Sequence, residues 1–353
     1  MGNNILVTVP KLTLPGGVSA FWNALLPEFS KMEKLNVHTL EIGGHSKNVF
    51  GPAIDQWKFN QELKTRPDLV VLNPSLGSRS FFRDAFFAKR LAKKEIPFAL
   101  FFHGWNLQFQ EKVDKKYVGF FQRTMGKAKI IFVLSGDFKD KLIAWGYTGE
   151  IRIATTMVDG KLFDNKEENE IHRSSESQLQ ILFLSRLLKE KGIYETIDAF
   201  QNLKLKYPEV QLIIAGDGAE YNRLNQIYGS NDSILLKGHV QGRQKIQLFK
   251  ECDIYCLPSY SEGLPTSVLE AMAFGKPIVT TRVGGLKDFF QDGKMGLFVS
   301  SNDAKDLELK LNELMDNCEL RKRMGEYNFN YAHKQLISSK VALKLADDLL
   351  QLI

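Results

Sequence analysis

The chain is poor in cysteine: Cys252, Cys256 and Cys318 are the only three in 353 residues. An odd number with no Cys-x-x-Cys spacing excludes a disulfide framework and a structural zinc site. All three read as buried small hydrophobes. No apolar run approaches the roughly 18 residues that a bilayer span needs. The start, Met1 to Pro10, enters a strand-like run with no basic segment followed by an apolar core, so no secretory signal is legible and the cytoplasm is the expected compartment. There is no Asp-x-Asp triplet, the carboxylate pair that can hold Mg²⁺ or Mn²⁺ on a diphosphate. A dinucleotide fingerprint is also lacking, because Gly216-Asp217-Gly218 is followed by Tyr221 where the third glycine would stand. No internal repeat or low-complexity tract is visible.

What is present suits a globular protein of two α/β domains, with 44% hydrophobic and 25% charged residues. The net charge of +6 is uneven: residues 1–155 hold 22 Lys and Arg against 13 Asp and Glu, a net +9, and the rest of the chain carries −3. The basic half is expected to meet an acidic partner. Short β-branched runs alternate with helical patterns: Asn4–Pro10, Val37–Ile42, Asp68–Leu72, Phe98–Phe102 and Lys129–Leu134 read as strands. The pattern restarts with Leu179–Leu184, Val210–Ala215, Ile234–Lys237, Asp253–Leu257 and Pro277–Thr281. We place the first domain at 1–158 and the second at 159–335. Polar Asp164 to Gln178 reads as a linker or exposed loop. Residues 336–353 read as a helix, spaced at Leu336, Val341, Leu345, Leu349 and Leu352, that returns to the first domain. Parallel sheets bind ligands beyond the carboxyl ends of their strands, so two facing sheets predict a cleft between domains.

The most specific stretch runs from Ser259 to Pro277 and contains Glu262-Gly263-Leu264-Pro265-Thr266-Ser267-Val268-Leu269-Glu270. It follows a strand and enters a helix near Pro265, with proline in the first turn and Thr266 as the cap. A helix start offers free backbone N–H groups and a positive dipole end, an anion site suited to a diphosphate. Glu262 and Glu270 both point toward a ligand held there, although on generic grounds each is equally a loop or surface charge. The spacing Glu262-x7-Glu270 within EGLPTSVLEAMAFGKPIV resembles the signature of retaining glycosyltransferase family 4, a GT-B group. The resemblance implies two doubly wound Rossmann-like domains with a nucleotide-sugar donor on the second. It further implies Glu262 on the donor sugar, Glu270 on the ribose, and the backbone of Gly263, Leu264 and Thr266 on the diphosphate.

Leu184-Ser185-Arg186-Leu187-Leu188-Lys189-Glu190-Lys191-Gly192 follows the first strand of the second domain. A pair of cations on such a loop can neutralise a leaving diphosphate, though loop cations are more often simply solvated. It resembles the family's Arg-x4-Lys pair, which favours Arg186 and Lys191. Lys237 to Gln241 resembles the segment that contacts the base, with Val240 as its candidate. In the first domain Gly16-Gly17 matches the glycine-rich first loop, where a missing side chain lets backbone approach phosphate. His103, at a strand end, matches a residue that bonds the donor sugar or orients the acceptor, and Asn73 is a weaker candidate. A lone histidine is more often structural.

The resemblance implies front-face transfer with retention of anomeric configuration, no metal, no cofactor and no dedicated nucleophile. The partners expected are a nucleotide-diphosphate sugar, UDP first, and a glycan or lipid-linked acceptor of bacterial surface polysaccharide assembly, with no nucleic acid. A nucleotide-sugar epimerase of the same fold and a non-catalytic binding protein are the rival readings. The segment 79–94 reads as a helix on which Phe87 shares a face with Arg83, Arg90 and Lys94, the pattern of an interfacial helix on anionic lipid. The alternative places Phe81, Ala85, Ala88 and Ala92 in the core.

Overall fold

A computed structural model of the chain describes residues 2–14, 16–44, 51–163 and 178–353. The expected linker at 164–178 lies outside the described residues except for Gln178. The chain forms two compact units, one of residues 1–156 with 338–353 and one of residues 157–337.

The first unit is built on a parallel sheet of β1 (Asn3–Val9), β2 (Leu35–Glu41), β3 (Leu69–Leu72), β5 (Phe98–Phe101), β7 (Ile130–Val133) and β8 (Glu150–Ile153) in the order β2-β1-β3-β5-β7-β8. Two-residue strands β4 (Ser75–Leu76) and β6 (Gly104–Trp105) pair beside it. Every residue of β3, β5 and β7 is buried, which is why these strands read as unbroken apolar runs rather than as alternating ones. The strand Glu150–Ile153 is not legible in the sequence. It is an edge strand, its residues exposed or half-buried, and Glu-Ile-Arg-Ile carries too few apolar positions to stand out.

The helix Ser78–Lys93 buries Phe81, Asp84, Ala85, Phe87, Ala88 and Leu91. This corrects the interfacial expectation: Phe87 is fully buried and stacks on Phe59 at 4.1 Å between ring centroids. Arg83 pairs with Asp84 at 2.9 Å and Arg90 bonds Asn60, so that face packs inward on polar and aromatic partners. Ala92, expected in the core, is exposed. The solvent-facing strip is a different one, with Arg79, Phe86, Lys89 and Lys93 exposed and Phe82 half-buried between them. Phe82 and Phe86 lie 5.7 and 6.1 Å from the ring of Phe120.

The last segment is a helix over Ser338–Leu350, preceded by a separate helix, Cys318–Gln335, of the second unit. The final helix packs on the helix Gly17–Phe29 and buries Val341, Ala342, Leu345, Ala346 and Leu349. Arg152 on β8 reaches Asp348 of this helix and Gln351 just beyond its end.

The second unit repeats the plan with β9 (Gln180–Leu184), β10 (Gln211–Ala215), β11 (Ile234–Gly238), β12 (Ile254–Leu257), β13 (Ile278–Thr281) and β14 (Gly296–Val299), all parallel, in the order β11-β10-β9-β12-β13-β14. The strand Gly296–Val299 is another edge element that the sequence reading misses; at four residues it is too short to carry a period. Cys252 and Cys256 are buried as expected, whereas Cys318 is exposed because it opens the helix that follows Asn317.

Candidate active site

In each sheet the strand order reverses at one place, between β1 and β3 and between β9 and β12. Loops leaving the two central strands there diverge to opposite faces, which opens a crevice at their carboxyl ends. In the second unit those are the loops 185–192 and 258–265, the two that carry most of the expected donor residues.

The helix after β12 spans Thr266–Ala273, and Pro265 rather than Thr266 is its cap, with no side-chain cap bond. Proline's fixed φ suits the entry, and Thr266 is the first helical residue. The N–H groups of Gly263, Leu264 and Thr266 donate to no described residue. The Leu264 side chain is buried, so what that residue offers a ligand is its backbone. Unpaired amides at a helix start are an arrangement that can accept an anion.

Glu262 is held from three directions. Lys191 Nζ lies 2.6 Å from its Oε1, with 10% and 12% of the two side chains exposed, and the Ser259 hydroxyl donates to the same oxygen at 2.7 Å. The Thr281 hydroxyl at the end of β13 donates to the Ser259 carbonyl, and Gly285 N–H donates to the Gly263 carbonyl at 2.6 Å. Gly284 has φ +52°, and a Cβ there would collide with the carbonyls of Glu262 and Gly263. Lys191 is reached by a 3₁₀ turn that ends at Gly192, φ +75°, where a Cβ would strike the Pro258 carbonyl. Both glycines exist so that the loops after β9, β12 and β13 can touch. Ser259, Thr281 and Gly284 escape the sequence reading; the Gly284-Gly285 pair, with two residues between it and the end of β13, is the signal that points to the last.

Glu270 lies on the second turn of the helix and meets Lys245 of the helix Arg243–Glu251, Nζ to Oε1 at 2.7 Å. Burial raises the Glu270 pKa, Lys245 opposes that rise, and the charge of Asp159 adds to it. Lys245 also escapes the sequence reading, because nothing local links a lysine to a glutamate 25 positions on. Tyr255 of β12 ties the site together underneath, its hydroxyl bridging the Leu184 carbonyl at 2.9 Å and the Ser267 hydroxyl at 2.7 Å. Arg186 is exposed, and its side chain makes no hydrogen bond or ion pair to a described residue. Val240 is half-buried and borders a cavity of about 540 Å³ that Ile213, Leu235, Lys237, Arg243 and Ile246 also line. Neither Glu262 nor Glu270 lines that cavity.

In the first unit Gly16 precedes and Gly17 opens the helix Gly17–Phe29. A Cβ added at Gly17 would meet nothing within 4 Å, so packing among the described residues does not require glycine there. His103 follows β5, its ring stacked on Phe101 at 4.1 Å and edge-on to Phe21 at 4.8 Å. Burial pushes its pKa down to about 3. The Asn73 amide donates to the Thr8 carbonyl at 2.7 Å, which turns its Oδ1 toward His103 Nε2 at 2.9 Å. An amide oxygen only accepts, so Nε2 carries the proton and Nδ1 is left as the acceptor.

Two parallel-sheet, Rossmann-like units with these switch-point loops define a two-domain α/β protein of the GT-B type. Over 99% of this chain and 99% of the other, the fold matches sucrose-phosphate synthase from Thermosynechococcus elongatus, with a TM-score of 0.78 at 16% identity. HepE from Anabaena, solved with UDP and glucose, matches with a TM-score of 0.71 at 16% identity over 99% of this chain and 100% of that one. Residues 164–331 match the family described as glycosyl transferases group 1. The capsular polysaccharide biosynthesis glycosyltransferase CapM of Staphylococcus aureus is 26% identical over 196 residues, 54% of this chain and 50% of CapM. The matched stretch spans about half the length of several such relatives.

Proposed function

We propose that the protein is a retaining, metal-independent glycosyltransferase that moves a hexose or N-acetylhexosamine from a nucleotide-diphosphate sugar to a glycan or lipid-linked acceptor. The observation that carries this reading is the pairing of Lys191 with Glu262 at 2.6 Å beside the unpaired amides of Gly263, Leu264 and Thr266. A cation, a carboxylate and a helix start meet where an α/β sheet binds its ligand. The match of residues 164–331 to the family described as glycosyl transferases group 1 supports it further.

In this proposal the donor diphosphate lies on the helix start, Glu262 takes the sugar hydroxyls, Glu270 takes the ribose, and Val240 borders the base. The bond from the anomeric carbon to the diphosphate oxygen breaks as the acceptor hydroxyl oxygen bonds to that carbon on the same face, and the hydroxyl proton passes to a donor phosphate oxygen. Arg186, Lys191 and the amides stabilise the charge that develops on the leaving diphosphate, an effect commonly worth about 2.7–4 kcal/mol per well-placed donor. Gly16, Gly17 and His103 act from the first unit, the glycines by letting backbone approach phosphate and His103 as a neutral hydrogen-bonding group. UDP is the expected carrier, supported by the complex of HepE with UDP and glucose. Likeness to CapM supports a place in surface polysaccharide assembly.

The expected compartment is the cytoplasm, with peripheral contact at the membrane. The exposed strip Arg79, Phe86, Lys89 and Lys93, with Phe82 and Phe120 beside it, supports contact with anionic lipid, since rings and unpaired cations on one face suit a headgroup layer. Among the described residues no helix is long and apolar enough to cross a membrane. Phe86→Ser should lower recovery with phosphatidylglycerol vesicles several-fold and leave nucleotide binding unchanged. Equal recovery of variant and parent would remove the strip from the proposal.

The deciding experiment is calorimetric titration with UDP, GDP and ADP in chelator, beside Glu270→Ala and Arg186→Ala. Micromolar binding of one diphosphate, weakened at least tenfold in both variants, is the expected result. Absence of binding by all three would overturn the reading. Turnover of the matching nucleotide sugar, with the product's anomeric configuration read by NMR, then separates a transferase from an epimerase and from a non-catalytic binder.

A further inference from the structure

The stretch from Glu262 to Glu270 carries one carboxylate at each end, and each is held by a lysine from a different element. Lys191 belongs to the turn after β9, whereas Lys245 comes from the helix Arg243–Glu251. The two pairs differ in what they leave open. Oε1 of Glu262 takes both Lys191 and Ser259. Glu270 uses Oε1 for Lys245, while Oε2 accepts no hydrogen bond from a described residue. The neighbours of Glu270 on its helix, Val268, Leu269, Ala271 and Met272, are buried, so the carboxylate stands over an apolar layer with 12% of its side chain exposed.

A carboxylate in such a place has two ways to lower its energy: it takes up a proton, or it turns toward water. A lysine on one oxygen blocks both and leaves the other as a fixed, charged acceptor. A vicinal diol fits that acceptor, because each hydroxyl donates into a lone pair of the same oxygen. Removing one hydroxyl then costs a charged hydrogen bond, a discrimination of roughly 10- to 100-fold.

We propose that Lys245 is a positioning residue that sets selectivity for ribose over 2′-deoxyribose, by pinning Oε1 of Glu270 so that Oε2 is presented to the two ribose hydroxyls. This rests on Glu270 being the ribose ligand, as proposed above. The pairing is not a stabilising decoration, since a buried ion pair contributes little beyond a well-packed apolar substitute. Its consequence is an orientation.

The test is the ratio of dissociation constants for 2′-deoxy-UDP and UDP in the parent, Lys245→Met, Lys245→Gln, Lys245→Arg and Glu270→Gln, with GDP or ADP and its 2′-deoxy form used if that base binds instead. The parent should favour the ribonucleotide about 10- to 100-fold. Lys245→Met should bring the ratio below about threefold, chiefly by weakening the ribonucleotide. Lys245→Arg should restore most of it, and Lys245→Gln, uncharged and one bond too short to hold Oε1, should lower the ratio as Lys245→Met does and covers the case in which Lys245→Met does not fold. A folded Lys245→Met or Lys245→Gln protein that keeps the parent ratio overturns the inference and leaves the donor reading standing. If the parent itself shows no ribose preference and Glu270→Gln binds as well as the parent, the assignment of Glu270 falls, and this inference with it.

Discussion

His103 stays neutral at a pH where the same residue in the unfolded chain takes up a proton. In the unfolded chain its imidazole titrates near the ordinary 6.5, whereas the folded ring, between Phe101 and Phe21, has its pKa pushed down to about 3. As pH falls from about 6.5 toward 3, the unfolded state binds a proton that the native state refuses. The stability that depends on a neutral His103 is therefore complete above about pH 6.5 and is lost progressively below it. The residue keeps some exposed surface, so we expect the parent to lose about 1–2 kcal/mol more than His103→Gln between pH 7.5 and 5. Denaturant unfolding of both proteins at the two pH values measures this, and parallel losses would contradict it. The same residue shows where local sequence stops: His-Gly after a strand marks a candidate, but the tautomer comes from Asn73 and Thr8, on two other strands' ends.

At the scale of elements, the loops after β9, β12 and β13 act as one body because their backbones touch. Gly284→Ala is the sharpest probe, since the new methyl group would meet two carbonyls of the loop that carries Glu262, at a positive φ. We expect a loss of about 1–3 kcal/mol in stability from the strained conformation. Diphosphate affinity should fall at least tenfold, because the amides of Gly263 and Leu264 move with their loop. Unchanged affinity in a destabilised protein would mean that the loop is not the anion site. The strand, loop and helix order of this region is legible in the sequence from Asp253 to Ala273. The buttress from β13 is not, because it depends on which strand lies beside β12, a matter of sheet order rather than of local pattern.

For the whole molecule, the last 16 residues belong to a unit whose other residues end at 156. The helix Ser338–Leu350 buries three large apolar side chains, Val341, Leu345 and Leu349, each contributing about 1.5–3 kcal/mol. That sum is comparable with the entire stability of an ordinary domain, about 5–15 kcal/mol. A chain ending at Ile337 should therefore lose the cooperative unfolding of the first unit and keep that of the second, as read by scanning calorimetry. Two intact transitions would show that the helix is dispensable.

Strand and helix alternation, the restart near residue 179 and the Glu262 to Glu270 stretch are written in the sequence, because each is a local pattern of apolar period, turn residue or fixed spacing. The edge strands Glu150–Ile153, too little buried, and Gly296–Val299, too short to show a period, are not. Tertiary structure alone decided which face of the helix Ser78–Lys93 meets water: Phe87 and Phe86 are adjacent aromatics of equal propensity, and it is packing in the core, against Phe59 among others, that buries the first. It likewise decided that the two carboxylates of the signature are each held by a lysine, one 71 positions before its partner and the other 25. Composition and spacing fix what a residue can do chemically; the partner that tunes it is chosen by strand order, which brings together residues that no sequence window contains.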